Sequence, residues 1–229
     1  MLYRKYAPFC KKMLHDLRIT DDGSHTIYNN EIGECYHSVH GAVVESKHVF
    51  VKSGFCEILK PYVSVFEVGF GTGLNALLTL EHALNQGKSV RYITTELYPL
   101  SPNIYKALNY GSTLLEREHF LCLHAVEWEQ EVLINPNFSL KKQKVDFTKM
   151  VLSEPIDLVY FDAFSPEKQP EMWSEEQFAK LYEQMNDGGV LVTYCAKGVV
   201  RRTLQSVGFT VERIQGPVGG KREILRARK

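Results

Sequence analysis

Glu67-Val68-Gly69-Phe70-Gly71-Thr72-Gly73 decides how this chain is to be read. Three glycines at alternate positions permit a tight turn and let a ligand come close to the backbone. The turn follows residues 63–68, a compact β-branched and aromatic run that suits a buried parallel strand. It precedes residues 74–85, where Leu74, Leu77, Leu78 and Leu80 supply the apolar side of a helix. Strand, glycine turn and helix make the opening unit of a parallel α/β sheet.

Outward from this unit the alternation continues. Residues 90–97 read as a second strand, and 99–108 begin a helical segment behind Pro99, a residue favoured at a helix start. Residues 120–124 are expected as a third strand, 156–161 as a fourth, and 190–195, reached through Gly188-Gly189, as a fifth. A polar, basic insertion at 135–149 has no assigned conformation, and its Lys141, Lys142 and Lys144 read as a solvated loop or as contacts to the backbone of an anionic partner. After a helix at 199–207 come two short strands, 209–214 and 223–225, separated by Gln215-Gly216-Pro217-Val218-Gly219-Gly220. That connection is too short for a crossover helix, so the pair must be antiparallel. Residues 61–229 are therefore expected as a Rossmann-like domain with a mostly parallel seven-stranded sheet and an antiparallel C-terminal strand. Residues 1–60 read as an irregular or β-rich N-terminal segment packed on it, with turns at Gly23-Ser24 and Asn29-Asn30 and a short strand at 49–51.

Bulk properties agree with one soluble globular unit. The chain has 229 residues, 44% apolar and 24% charged, and no apolar stretch of the length a membrane span needs. Its N-terminus lacks the apolar centre of a signal peptide, so a cytoplasmic location is expected. Cys10, Cys35, Cys56, Cys122 and Cys195 are scattered, odd in number and without a CxxC pair, which points to reduced thiols and neither a disulfide framework nor a metal site. Residues 197–229 carry nine basic against two acidic side chains, a local excess of seven in a chain of zero formal net charge. An anionic partner would meet that end of the molecule.

The glycine turn alone is a weak signal. Glu96 closes the second strand, where a carboxylate can accept hydrogen bonds from ribose hydroxyls. The spacing is GxGxG rather than the GxGxxG of dinucleotide enzymes. Glu67, two residues before the first glycine, suits the cationic methionine portion of S-adenosylmethionine and would repel a pyrophosphate, which disfavours a nicotinamide dehydrogenase. The plainer alternatives are a tight turn without ligand and, for Glu96, a solvated strand-end acid. Asp162, at the end of the fourth strand, would stand beside the crevice where a methyl acceptor sits. It could orient an amine and take or relay its proton, or simply serve as a helix N-cap or as a loop carboxylate holding Ser165.

Five motifs in order resemble the family of tRNA 5-methylaminomethyl-2-thiouridine methyltransferases, known as the MnmC methyltransferase domain and the stand-alone MnmD form. They are Glu67-Val-Gly-Phe-Gly-Thr-Gly-Leu-Asn75, Glu96-Leu-Tyr-Pro99, Asp162-Ala-Phe-Ser-Pro-Glu-Lys-Gln-Pro-Glu-Met-Trp173, Val200-Arg-Arg-Thr-Leu-Gln-Ser-Val-Gly-Phe209 and Gly220-Lys-Arg-Glu223. Residues 36–50 resemble the family's N-terminal part less sharply. The resemblance implies a class I S-adenosylmethionine-dependent methyltransferase fold, in which a parallel sheet is closed by an antiparallel strand. It implies methyl transfer from S-adenosylmethionine to the aminomethyl nitrogen of 5-aminomethyl-(2-thio)uridine at the tRNA wobble position. Glu67, Gly69, Phe70, Gly71, Gly73 and Asn75 would then line the cofactor site, Glu96 would hold the ribose, and Asp162 would face both cofactor and amine. Many relatives have an aspartate after the third strand near the adenine; here His124 stands in the aligned stretch and is the residue expected to stack, to donate, or to fill the strand end. A chain of this length leaves no room for the flavin-dependent oxidase domain of the bifunctional relatives, so neither flavin nor metal is expected.

On the substrate side, Lys197, Arg201, Arg202, Lys221 and Arg222 are expected to grip the phosphates of a tRNA anticodon loop, against the alternative of a solvated basic face. Phe164, Trp173 and Tyr194 are candidates to stack on an extruded base, although aromatics at such positions are more often core. No membrane and no obligate protein partner is indicated. The competing readings are a spermidine synthase-like aminopropyltransferase acting on a polyamine, and a non-catalytic RNA-binding module with a vestigial pocket.

Overall fold

The computed structural model describes residues 15–229. Cys10 and the first fourteen positions of the N-terminal segment lie outside the described residues. The described residues begin with a three-stranded antiparallel sheet of β1 (His15–Ile19), β2 (His25–Asn29) and β3 (Glu34–Cys35). Helix α1 (Ala42–Ser46) then runs into a π-helical turn, Lys47–Lys52. The strand expected at 49–51 is thus not formed. A short apolar run does not distinguish strand from buried helix, and here Val49, Phe50 and Val51 are all buried, with Phe50 5.2 Å from Tyr160 between ring centres.

The second sheet holds β4 (Tyr62–Val68), β5 (Ser89–Thr95), β6 (Glu131–Asn135), β7 (Phe138–Gln143), β8 (Ile156–Phe161), β9 (Met185–Thr193), β10 (Thr210–Gln215) and β11 (Glu223–Arg228). Its order is β10-β11-β9-β8-β4-β5-β7-β6. The run from β9 to β7 is parallel; β11 pairs antiparallel with both β9 and β10, and β6 antiparallel with β7. The order reverses at β4, which pairs with β5 on one side and β8 on the other. Such a reversal opens a crevice at the carboxyl ends of the strands.

Side chains alternate across this sheet. Val63, Val65, Tyr92, Leu158 and Tyr160 pack with α2 (Leu74–Gln86) and α4 (Leu114–Ala125) in one core, reached also by Ile27, Phe50 and Phe55 of the N-terminal segment. Phe66, Val68, Val159 and Phe161 pack on the other face with α5 (Glu175–Gln184) and α6 (Gly198–Val207). Each large side chain so buried contributes on the order of 1.5–3 kcal/mol.

Eight strands, not seven, follow from two corrections around the expected third strand. Residues 120–124 belong to α4, which a capping box starts: Thr113 Oγ1 accepts from the Glu116 N–H, and the Glu116 carboxylate accepts from the Thr113 N–H. The third parallel strand is β7, inside the insertion, and β6 adds a hairpin partner at the sheet edge. In β7 the inward positions are Phe138, Leu140 and Lys142. A lysine at the third position hid the period-two pattern.

Candidate active site

A cavity of about 720 Å³ lies along the crevice, walled by the glycine turn, the ends of β5, β7 and β8, and residues 36–39 and Glu45 of the N-terminal segment. Its volume falls in the range of small-molecule sites. The Gly69 and Phe70 N–H groups both donate to the Thr95 carbonyl, at 3.1 and 2.9 Å, which ties the turn to β5. At Gly69 φ is +92° and a Cβ would stand 3.0 Å from the Asp162 carbonyl oxygen, so the turn passes closely over the end of β8.

Two carboxylates flank the turn. Glu96, half-buried, accepts from the Gly71 N–H through Oε2 at 3.0 Å and from the Tyr98 N–H through Oε1 at 2.9 Å. Burial raises its pKa, opposed by those N–H groups. Asp162 accepts from Asn75 Nδ2 through Oδ2 at 2.8 Å, and Asn75 reaches it from the first turn of α2. Burial, then the negative charge of Glu45, pushes the Asp162 carboxyl up to about 7 against the pull of Asn75 and Lys221. It is therefore poised to exchange a proton near neutrality.

Gly69, Phe70, Gly71, Asn75, Glu96, Asp162, Phe164 and Lys221 line the cavity together. Glu67, Gly73, His124 and Trp173 are not among its lining residues. Glu67 is fully buried beneath the turn, accepts from Thr94 Oγ1 at 2.8 Å, and is pushed well above the ordinary carboxylate range by burial. Its side chain turns into the sheet rather than lining the cavity. His124, on the last turn of α4, stacks on Tyr105 at 4.2 Å and lies 2.9 Å through Nε2 from the Thr72 carbonyl oxygen. Burial pushes its pKa down to about 4. The ring is neutral at pH 7 and holds the turn from behind. Trp173 belongs to the core beside Phe161 and Phe178, and its indole N–H donates to the Phe164 carbonyl at 2.8 Å.

The basic residues divide. Lys197 pairs with Glu167. Lys221 does not simply face solvent: its Nζ lies 3.5 Å from the Tyr194 ring centre and 3.4 Å from Glu45 Oε1, at the cavity wall. Arg201 is half-buried, and Arg202 and Arg222 are exposed. Lys142, within the supposed solvated insertion, is fully buried, with its Nζ donating to the His124 carbonyl at 2.7 Å and lying 4.8 Å from the Trp128 ring centre.

Three cavity residues escape a reading of the sequence. Asp146 follows β7 and lines the cavity, with Oδ1 accepting from the Thr148 N–H at 3.0 Å. It occupies the place after the third parallel strand that His124 was expected to fill; once β7 is recognised as that strand, the aspartate is in register. Tyr36 sits 3.1 Å from where a Gly71 Cβ would be and meets Phe164 edge-on at 5.1 Å. Glu45 is buried on α1. Among the described residues no group of three or more His, Cys, Asp or Glu side chains is arranged to hold a metal, and no helix is long and apolar enough to cross a membrane.

A family model described as an S-adenosyl-L-methionine-dependent methyltransferase matches residues 123–229. The tRNA 5-methylaminomethyl-2-thiouridine biosynthesis bifunctional protein MnmC of Magnetococcus marinus is 32% identical over 217 residues, 88% of this chain and 32% of that protein. The chain spans about a third of the length of the curated relatives it matches. The crystal structure of MnmC2 from Aquifex aeolicus superposes with a TM-score of 0.79 at 29% identity, over 93% of this chain and 70% of that one. Spermidine synthase from Thermotoga maritima gives a TM-score of 0.56 at 14% identity, over 95% and 72% of the two chains, a likeness of fold alone.

Proposed function

We propose, on the premise that this chain belongs to the S-adenosyl-L-methionine-dependent methyltransferase family of its MnmC relatives, that it methylates the aminomethyl nitrogen of 5-aminomethyl-(2-thio)uridine at the tRNA wobble position. The observation that carries the reading is one cavity with Glu96 on one side of a close-packed glycine turn and a proton-exchanging Asp162 on the other.

The residues present suit the cofactor. Gly69 and Gly71 carry no Cβ to crowd the Asp162 carbonyl and the Tyr36 ring at the cavity wall, Glu96 offers carboxylate oxygens to a ribose, and Asp146 offers one to an adenine amino group. Bound there, S-adenosylmethionine supplies a methyl group made electrophilic by its sulfonium. Asp162 does the chain's own chemistry. It receives the acceptor as an ammonium, takes one proton onto its carboxylate and leaves a nitrogen lone pair for the new N–CH₃ bond, while Asn75 fixes the carboxylate's direction. The N–H proton that becomes acidic once that bond forms leaves to water. Phe164 and Tyr36 offer apolar faces to the pyrimidine at the mouth. Arg201, Arg202 and Arg222 contact the phosphates of the anticodon loop, and the reaction takes place in the cytoplasm.

The test is transfer of labelled methyl from S-adenosylmethionine to tRNA carrying the unmethylated aminomethyl-uridine, followed by nucleoside analysis. Polyamine precursors with decarboxylated cofactor are run in parallel. Label on the wobble aminomethyl nitrogen is expected. An unlabelled tRNA together with aminopropyl transfer to a polyamine would overturn the function and leave the fold intact.

A further inference from the structure

Glu45 has no place in the reading so far, yet it is among the most constrained acids at the cavity. It is 7% exposed, and Oε2 accepts from the Ser38 N–H at 2.8 Å. The other oxygen, Oε1, is buried and receives no hydrogen bond. An unsatisfied carboxylate oxygen is costly to bury, and this one belongs to a side chain that lines the cavity. It forms an ion pair with the primary ammonium of Lys221, at 3.4 Å. That ammonium also lies 3.5 Å from the centre of the Tyr194 ring, within cation–π range. The ring is fixed in place by its hydroxyl, which donates to the Ala163 carbonyl at 2.9 Å, one residue beyond Asp162. Glu45, Asp162, Tyr194 and Lys221 all line the one cavity, and the charges of Glu45 and Lys221 both act on Asp162.

Lys221 reaches the cluster from the turn between β10 and β11, on a flexible four-carbon stem, and its side chain is 42% exposed. A primary alkylammonium, delivered from outside, therefore already stands between the Glu45 carboxylate and an aromatic face, in the cavity that Asp162 also lines. We propose that Glu45, Asp162 and the face of Tyr194 are a binding subsite for the alkylammonium of the acceptor, and that Lys221 is its resident occupant, displaced when the acceptor enters. The inference rests on the reading of the substrate as an amine. It adds that the amine is recognised as a cation before it is deprotonated, with Glu45 as the positioning carboxylate and Asp162 as the proton acceptor. A neutral acceptor of the same shape finds a buried carboxylate with no partner and is rejected.

The subsite is probed without turnover by titrating n-butylammonium, and n-butanol as its neutral counterpart, into the full chain saturated with S-adenosylhomocysteine, followed by NMR shifts of the protein. The wild type is expected to bind the ammonium and not the alcohol. Glu45→Gln keeps an oxygen for the Ser38 N–H and should weaken ammonium binding at least tenfold, about 1.4 kcal/mol, with S-adenosylhomocysteine affinity unchanged. Lys221→Met, at a side chain that is not part of the core, empties the subsite and should strengthen ammonium binding several-fold. The subsite is refuted if Glu45→Gln binds the ammonium as the wild type does, or if Lys221→Met weakens it. Methylation of tRNA by the wild type, measured alongside, separates the two claims. Labelled tRNA with an unaffected Glu45→Gln removes the subsite and keeps the function, whereas ammonium binding with the expected pattern and no labelled tRNA keeps the subsite and removes the function.

Discussion

Asp162 is held at a thermodynamic cost that can be measured apart from catalysis. Its carboxyl goes from an ordinary 3.8 to about 7 in the fold, chiefly because burial disfavours the charge. A group whose pKa is raised by folding stabilises the fold at low pH relative to high pH, and that stability is lost as pH climbs through the folded value. About three pH units at ~1.36 kcal/mol each make the full cost about 4 kcal/mol. Asp162→Asn keeps an oxygen for Asn75 Nδ2 and removes the charge. Its stability over the wild type should be near zero at pH 3, about 1–2 kcal/mol at pH 5 and about 3–4 kcal/mol at pH 8. Urea unfolding of the ligand-free proteins at the three pH values reads this directly, since other titrating groups cancel between the variants. Methyl transfer by the same variant should be nearly abolished, because an amide cannot take the proton. An advantage that is absent at pH 8, or that does not grow with pH, would show that Asp162 is not the strained acid this site requires.

Three further perturbations address the parts that hold the site. At Gly73, φ is +73° and a Cβ would come within 2.8 Å of His124 Nε2; Gly73→Ala should cost about 2–4 kcal/mol in urea unfolding, from left-handed strain and overpacking together, and a loss under about 1 kcal/mol would mean the turn has slack. Burial pushes the Lys142 ammonium down to about 8 from 10.5, so the wild type gains stability as pH rises from 8 to 10.5, where the unfolded lysine still holds its proton. Lys142→Met should therefore be more stable at pH 7 by about 1–3 kcal/mol, after the lost bond to the His124 carbonyl, with a gap that closes towards pH 10.5; a gap that widens refutes the assignment. Replacing Arg201 and Arg202 together with Ala should weaken tRNA binding and lower its salt dependence by about two charges, and an unaltered affinity and slope would place the RNA on another face.

Much of the fold could be read from the sequence because buried parallel strands are continuous apolar runs and the glycine turn punctuates the first of them. Glu96 and Asp162 were accessible for the same reason: each closes such a run. What failed was local. The third strand was displaced to 120–124 because Phe120, Leu121 and Leu123 mimic a strand core, whereas the Thr113–Glu116 capping box at the start of that segment is a helix signal. The true strand was disguised by Lys142, a lysine whose charge is tolerated through one carbonyl and the Trp128 ring. That displacement put His124 in the place of Asp146. The position of Glu67 relative to the glycines does not reveal that its side chain turns into the sheet towards Thr94. Glu45, Tyr36 and the placement of Lys221 depend on contacts between segments more than 30 residues apart, which no local pattern carries.

On the proposed reading, one crevice holds the cofactor across the glycine turn with its reacting end at Asp162. The most direct measurement is a crystal structure of the protein with S-adenosylhomocysteine. It should show the ribose hydroxyls on Glu96, the adenine beside Asp146 and the sulfur end turned towards Asp162 and Asn75. A ligand bound outside the crevice, or lying in it with its adenine at Asp162, would contradict the account.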